Sequence, residues 1–286
     1  TNARGQVTGL LRGNGATTTN TYNEITGHLT RQYAGVLSPI KLIQNIGYEW
    51  DRIGNLKYRH NQSAKVGSGN NNLQERFCYD NLNRLTTTYL GSLTGSCSAG
   101  GVQSSVIYDG HGNIASKTGV GSYTYGNQAG PHAVTATSAG NKTYQYDKNG
   151  NMISDTDNGT LNRSFEYTTY DQVSRIFKGN VEVSFDYGPD RNRWRRVDTK
   201  NGVATLTRYL GSIERIETEH TGVVEWKRNV SGALFTYKTD SANNLLANGV
   251  STAFIYNDHL GSVDIITDAV GTLTHSMSFD VWGARR

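Results

Sequence analysis

Three groups of side chains in this sequence have the types and spacing that could do chemistry. Asp258-His259 sets a carboxylate beside an imidazole, the parts of an acid–base pair. No serine or cysteine nucleophile motif stands next to it, and the run Asp258-His259-Leu260-Gly261-Ser262 reads as a turn. Asp268 and Asp280 would serve as paired carboxylates if the fold brought them together, yet each sits at a turn-like position. Asp155-Thr156-Asp157-Asn158-Gly159, with Glu166 downstream, approaches a calcium-binding loop. Its glycine comes one place early and strand patterns flank it in place of helices, so a hairpin tip is expected. The sequence predicts no catalytic residue, no cofactor and no metal ligand.

Other candidates resolve the same way. Cys78 and Cys97 are too few for a metal site without a spaced histidine pair, and are either a hairpin-spanning disulfide or two free thiols. The glycines at 67–69 and 119–121 lack the Lys-Ser/Thr and the helix of a phosphate loop. Arg191, Arg193, Arg195 and Arg196 alternate with Asn192 and Trp194, as a strand face does, and do not concentrate into a nucleic-acid footprint. Glu214, Glu217 and Glu219 read as the polar face of a strand. Trp50, Trp194, Trp226 and Trp282 could stack on sugars, but aromatics at period two in one sheet are expected to pack across strands. Asn-x-Ser/Thr triplets at Asn61, Asn141, Asn158, Asn162 and Asn229 matter only in a eukaryotic secretory pathway.

What positions all of these is a repeat. Its copies are Trp50-Asp51-Arg52-Ile53-Gly54-Asn55, Tyr79-Asp80-Asn81-Leu82-Asn83-Arg84, Tyr108-Asp109-Gly110-His111-Gly112-Asn113, Tyr146-Asp147-Lys148-Asn149-Gly150-Asn151 and Tyr170-Asp171-Gln172-Val173-Ser174-Arg175. Tyr187 to Asn192 and Tyr209 to Glu214 are weaker copies, and Tyr256 to Gly261 is a variant. In each, an aromatic closes a strand and an aspartate is placed to accept hydrogen bonds from turn amides, a structural role. Around it, Tyr144 and Tyr146, or Val181, Val183, Phe185 and Tyr187, share one face at period two. Asn149-Gly150 predicts a tight hairpin turn with positive φ angles, and Asn201-Gly202, Thr221-Gly222 and Asn248-Gly249 predict further turns.

Composition agrees. Of 286 residues 35% are hydrophobic and 18% charged, with 33 Gly, 3 Pro and 17 Tyr. Strand and turn formers dominate, and no stretch carries the apolar stripe of a helix, so the class is all-β: antiparallel hairpin repeats in a curved or spiralling sheet. The net charge of +4 is spread along the chain. No run reaches the ~20 apolar residues of a membrane span, and no signal peptide is visible. With Thr at residue 1 and an abrupt stop at Arg286, the chain reads as a piece of a longer polypeptide.

The pattern resembles the tyrosine-aspartate (YD) repeats of the RHS family, which includes bacterial polymorphic toxins, the C components of insecticidal toxin complexes and the animal teneurins. The family unit, Tyr-Asp-x-x-Gly-Arg/Asn-Leu/Ile-Thr, is matched at Gly54-Asn55-Leu56, Asn83-Arg84-Leu85-Thr86, Gly112-Asn113-Ile114, Gly150-Asn151-Met152 and Ser174-Arg175-Ile176. Tyr256 to Val263, Thr267 to Gly271 and Phe279-Asp280-Val281-Trp282-Gly283-Ala284-Arg285-Arg286 look like the start of the RHS-associated core. By this resemblance residues 1–45 form an N-terminal β segment with room for degenerate repeats, 46–215 the repeats, and 216–286 the start of the core.

The resemblance implies a bacterial, secreted or cell-surface protein whose sheet encloses a C-terminal toxin cargo. The remaining shell would be a further partner, with secretion-system components as additional candidates and no nucleic acid. It also implies self-cleavage through an Asp-Pro-x-Gly-Leu element downstream of the Trp-Gly motif. Pro39, Pro131 and Pro189 make no Asp-Pro pair, so neither that element nor a toxin domain is assigned here. The leading expectation is a non-catalytic shell segment. The alternatives are a cell-surface adhesion or carbohydrate-binding module, and part of a self-cleaving core whose catalytic element lies beyond Arg286.

Overall fold

Alternating Tyr, Thr, Val and Ile, punctuated by Gly and Asn, should give strands and little else. The computed structural model describes residues 1–37, 40–65, 73–91, 97, 101–126 and 130–286, and among them it holds 24 strands and no helix. Pairing is antiparallel, with most strands joined to their sequence neighbours. The all-β hairpin architecture expected from the sequence is what the chain adopts.

The strands gather into two compact units. The first comprises Thr1–Ser105, Val230–Phe235 and Ser251–Arg286. Its strands Thr17–Tyr22, Leu29–Leu37, Ile40–Trp50, Leu56–Asn61, Leu73–Tyr79 and Leu85–Leu90 pair in that order. Its apolar core joins distant parts of the sequence: Ala16, Ala34 and Ile43 pack with Ala233, Phe254, Tyr256 and Ile265. Burying Ile43 and Ile265 this fully stabilises the unit by about 1.5–3 kcal/mol each.

The second unit comprises Val106–Asn229 and Thr236–Val250. Here few residues are buried, among them Val106, Thr137, Asp155, Thr207 and Val224. The sheet's apolar rings are covered by guanidinium groups: Arg163 over Phe165, Arg175 over Phe177, Arg193 over Phe185 and Tyr209, and Arg215 over Trp226, at 4.8 to 5.5 Å. This corrects the expected packing of ring on ring, for which Tyr170–Tyr187 is the one instance among the described residues of this unit. Aromatics two strands apart are separated by about 10 Å, too far to stack, whereas an arginine stem spans the gap.

Turns come in two kinds. At Asn158-Gly159 and Asn201-Gly202 both residues have positive φ (48° and 79°, 50° and 81°), the two-residue hairpin form. The first of these is the hairpin tip expected in place of a calcium loop. The repeat turn differs. In Asp147–Asn151 only Gly150 has positive φ, because the Asp147 side chain captures the amides of Asn149 and Asn151 and opens the loop. The result is a longer loop closed by a glycine bulge, not the tight Asn-Gly turn expected. Asn248-Gly249 is no turn either: it lies within the strand Leu245–Asn257. A Cβ at Gly249 would stand 2.5 Å from the Lys238 carbonyl, so the glycine permits a close backbone approach. Tyr209 to Glu214 is a two-residue hairpin between the paired Leu210 and Ile213, not a repeat copy.

Candidate functional site

The repeat turn is built by its aspartate. Asp51, Asp80, Asp109, Asp147, Asp240, Asp258, Asp268 and Asp280 each accept the amides two and four residues on, at 2.7 to 3.0 Å. Three residues after each stands the positive-φ residue: Gly54, Asn83, Gly112, Gly150, Asn243, Gly261, Gly271 or Gly283. Glycine and asparagine are the residues that enter this region at least cost. The amide of Arg84 holds Asp80 below the usual carboxylate range, and the Asn151 side chain does the same for Asp147. These carboxylates are fixed as hydrogen-bond acceptors. Asp240 was missed in the sequence because Thr239 replaces the aromatic before it.

One copy sits in a different register. Thr168 N–H donates to Gln172 O, Asp171 N–H to Thr168 O, and Asp171 has φ 63°. The aromatic is therefore Tyr167, with Thr168 in the aspartate place and Asp171 in the positive-φ place. Tyr170 lies on the turn, its ring against Tyr187 and under Arg191, and Arg175 lies in the strand Val173–Lys178.

The aromatics themselves form a ladder. Tyr79 OH donates to Leu56 O, Tyr125 to Ile114, Tyr146 to Val134, Tyr167 to Met152 and Tyr187 to Val173, at 2.6 to 3.0 Å. Trp50 Nε1 donates to Leu29 O at 2.6 Å. In each case the acceptor is the residue that opens a strand just after an earlier turn, so every hairpin seats its ring on the one before. Phenylalanine could fill the space but not make the bond, which explains tyrosine here and tryptophan as its one substitute among these six.

In the first unit, polar side chains clasp the segment from Tyr256 to Arg286 against earlier strands. Buried Glu75 receives Arg59 Nε at 2.5 Å and Arg286 Nη2 at 2.7 Å. Arg59 also donates to Asp258 Oδ2 at 3.2 Å and to Phe279 O at 3.1 Å. Asp264 accepts Ser63 Oγ at 2.7 Å, Asn61 Nδ2 at 2.7 Å and Gln44 Nε2 at 3.1 Å. Tyr48 donates to Gln32 and accepts the His259 amide. Burial raises Tyr48's phenol and lowers His259's imidazole, keeping both neutral at pH 7.

Asp258 and His259 thus lie together in one turn. Both Asp258 oxygens are taken by turn amides and Arg59, and the His259 ring packs 4.6 Å from Tyr48 and 5.8 Å from Trp50. Leu260, Gly261 and Ser262 complete that turn, as Trp282 and Gly283 complete the one begun by Asp280. Cys78 and Cys97 are joined in a disulfide with Cα atoms 5.8 Å apart, and Tyr89 OH donates to Cys97 O. No cluster of three or more His, Cys, Asp or Glu suited to a metal occurs among the described residues. Arg59, Glu75 and Asp264 gave no sequence signal, since a lone charge in a strand looks alike whether it faces solvent or a core.

Comparison with known proteins adds the context. The teneurin YD-shell family profile matches residues 24–192. No curated protein matches the sequence. Among solved structures, the chain is similar to a TcdB2-TccC3-Cdc42 crystal structure, with TM-score 0.65 and 15% identity over 99% of this chain and 15% of that one. A TcdB2-TccC3 structure aligns at TM-score 0.66 and 15% identity over 99% and 16% of the two chains. The Photorhabdus luminescens Tc holotoxin pore, with a TccC3 variant, aligns at 0.65 and 16% over 99% and 15%. At such identities the likeness establishes the fold, of which this chain spans a small part of each neighbour's length.

Proposed function

The chain belongs to the teneurin YD-shell family, and from that premise we propose that it is a wall segment of a shell enclosing a toxic cargo. The observation that carries this reading is the aromatic ladder. Its bonds are spread along successive hairpins and converge on no single site, so the product of the sequence is a surface. A wall of paired strands separates what lies behind it from proteases and bulk water. The cargo would be a C-terminal domain of the same polypeptide in a secreted or cell-surface bacterial protein, with the remaining shell as partner. Similarity in fold to the Photorhabdus luminescens Tc holotoxin pore supports this assignment. Self-cleavage, if the whole protein performs it, would use residues outside those described.

The test is protection. A longer polypeptide carrying this segment and a C-terminal domain should keep that domain intact at protease doses that digest the domain alone. Equal digestion of the enclosed and free domains would sink the proposal.

A further inference from the structure

Three carboxylates are buried among the described residues: Glu75, Asp155 and Asp264. Glu75 is matched by Arg59 and Arg286, and Asp155 by Arg163. Asp264, only 6% exposed, has no cationic partner among the described residues. Its bonds come from a hydroxyl and two carboxamides, all neutral. Burying an ionised carboxylate without a counter-charge is costly, and the usual escape is to take up a proton. We propose that Asp264, with Ser63, Asn61 and Gln44, is a proton-binding site that tightens the clasp of the first unit as pH falls.

The surroundings favour this. Arg59 and Asp258 line a void of about 10 Å³ beside Asp264, with room for one water at most. Lys65 and Arg286 line a further cavity with it, but neither bonds it, and Arg286 is committed to Glu75 and Gln103. Arg59 is committed to Glu75, Asp258 and Phe279 O. Tyr48 and His259, the other titratable groups of the clasp, are neutral. Burial pushes the Asp264 carboxyl up, the donors Ser63, Asn61 and Gln44 pull it down in that order, and the negative charge of Asp258 adds to the rise. The net direction is upward.

Protonation also fits the hydrogen bonds. Ser63 Oγ donates to Asp264 Oδ2 but accepts the Asn45 amide at 3.1 Å, so it can turn and accept the acid's new O–H. Asn61 keeps its bond to Oδ1. With the folded value above the unfolded one of about 3.9, the folded chain binds the proton more tightly. Stability from this group is then gained as pH falls through the folded value and is complete below the unfolded one. His259 works the other way, since its lowered value makes the fold lose stability as pH falls below about 6.5. Asp80 and Asp147, held low, lose theirs only below about pH 4.

Because these effects overlap, the test must read Asp264 itself. Carbon-13 NMR of the side-chain carboxyls of the whole chain, assigned with Asp264→Asn, should show Asp264 titrating with higher proton affinity than an unfolded aspartate. Ser63→Ala, which removes a donor to the charged form together with the acceptor of the acid's O–H, should leave the affinity above the unfolded value; it also serves for assignment should Asp264→Asn fail to fold. Hydrogen exchange corrected for intrinsic rates should show the amides of Val263–Thr267 in the natural chain gaining protection on acidification relative to the same amides in Asp264→Asn, where the opposing groups titrate equally. A midpoint at or below about 3.9 in either chain, or no relative gain in protection, would overturn the proposal.

Discussion

A single side chain is worth most in this protein where its partner has no alternative. Glu75, 1% exposed, balances two arginines, and removing its charge leaves Arg286 without an ion pair among the described residues and Arg59 with Asp258 alone. Glu75→Gln should therefore cost about 3–5 kcal/mol in urea unfolding, less the part of Arg286 that solvent still reaches. The ladder hydroxyls are worth less apiece. Tyr146→Phe leaves the Val134 carbonyl without its donor and should cost about 0.5–1.5 kcal/mol, with the strand pattern unchanged by circular dichroism. Repeat aspartates and buried carboxylates look identical in sequence. What separates Asp258 from Asp264 is the partner, and the partner is set by strands far away in the chain.

At the scale of the hairpin, the sequence was read well where local chemistry decides and poorly where distant contacts do. The aspartate-led turn was legible because its donors lie two and four residues away. Its glycine bulge was misread as a tight Asn-Gly turn, since that dipeptide serves both loops, and the Tyr170 register slipped by three because Thr168 replaces the expected aspartate. The tip residues Ile53, Leu82 and Leu260 stand 69 to 76% exposed, so apolarity there was no guide to the core. The clasp was invisible altogether. One consequence for the turn can be measured: Gly54→Asn should be tolerated, because Asn83 already occupies the same place at φ 62°. Gly54→Val at φ 94° should destabilise by more than about 1 kcal/mol, read as a fall in the urea midpoint.

For the molecule as a whole, the family is the YD shell, and the ladder says how its successive hairpins would make the proposed wall. In the second unit each ring's polar tip finds its acceptor just after an earlier turn, so stability there is a sum of neighbour terms. Removing residues 147–167 joins Tyr146 directly to Thr168, and the bonds from Tyr146 to Val134 and from Tyr187 to Val173 both survive. That shortened chain should still unfold cooperatively in urea, whereas removing 147–160 should not, because it leaves Tyr167 without Met152. A wall held this way has a length that is counted, not continuous. Recombination between two copies at their aromatics would lengthen or shorten it by whole hairpins, with no broken intermediate for selection to reject.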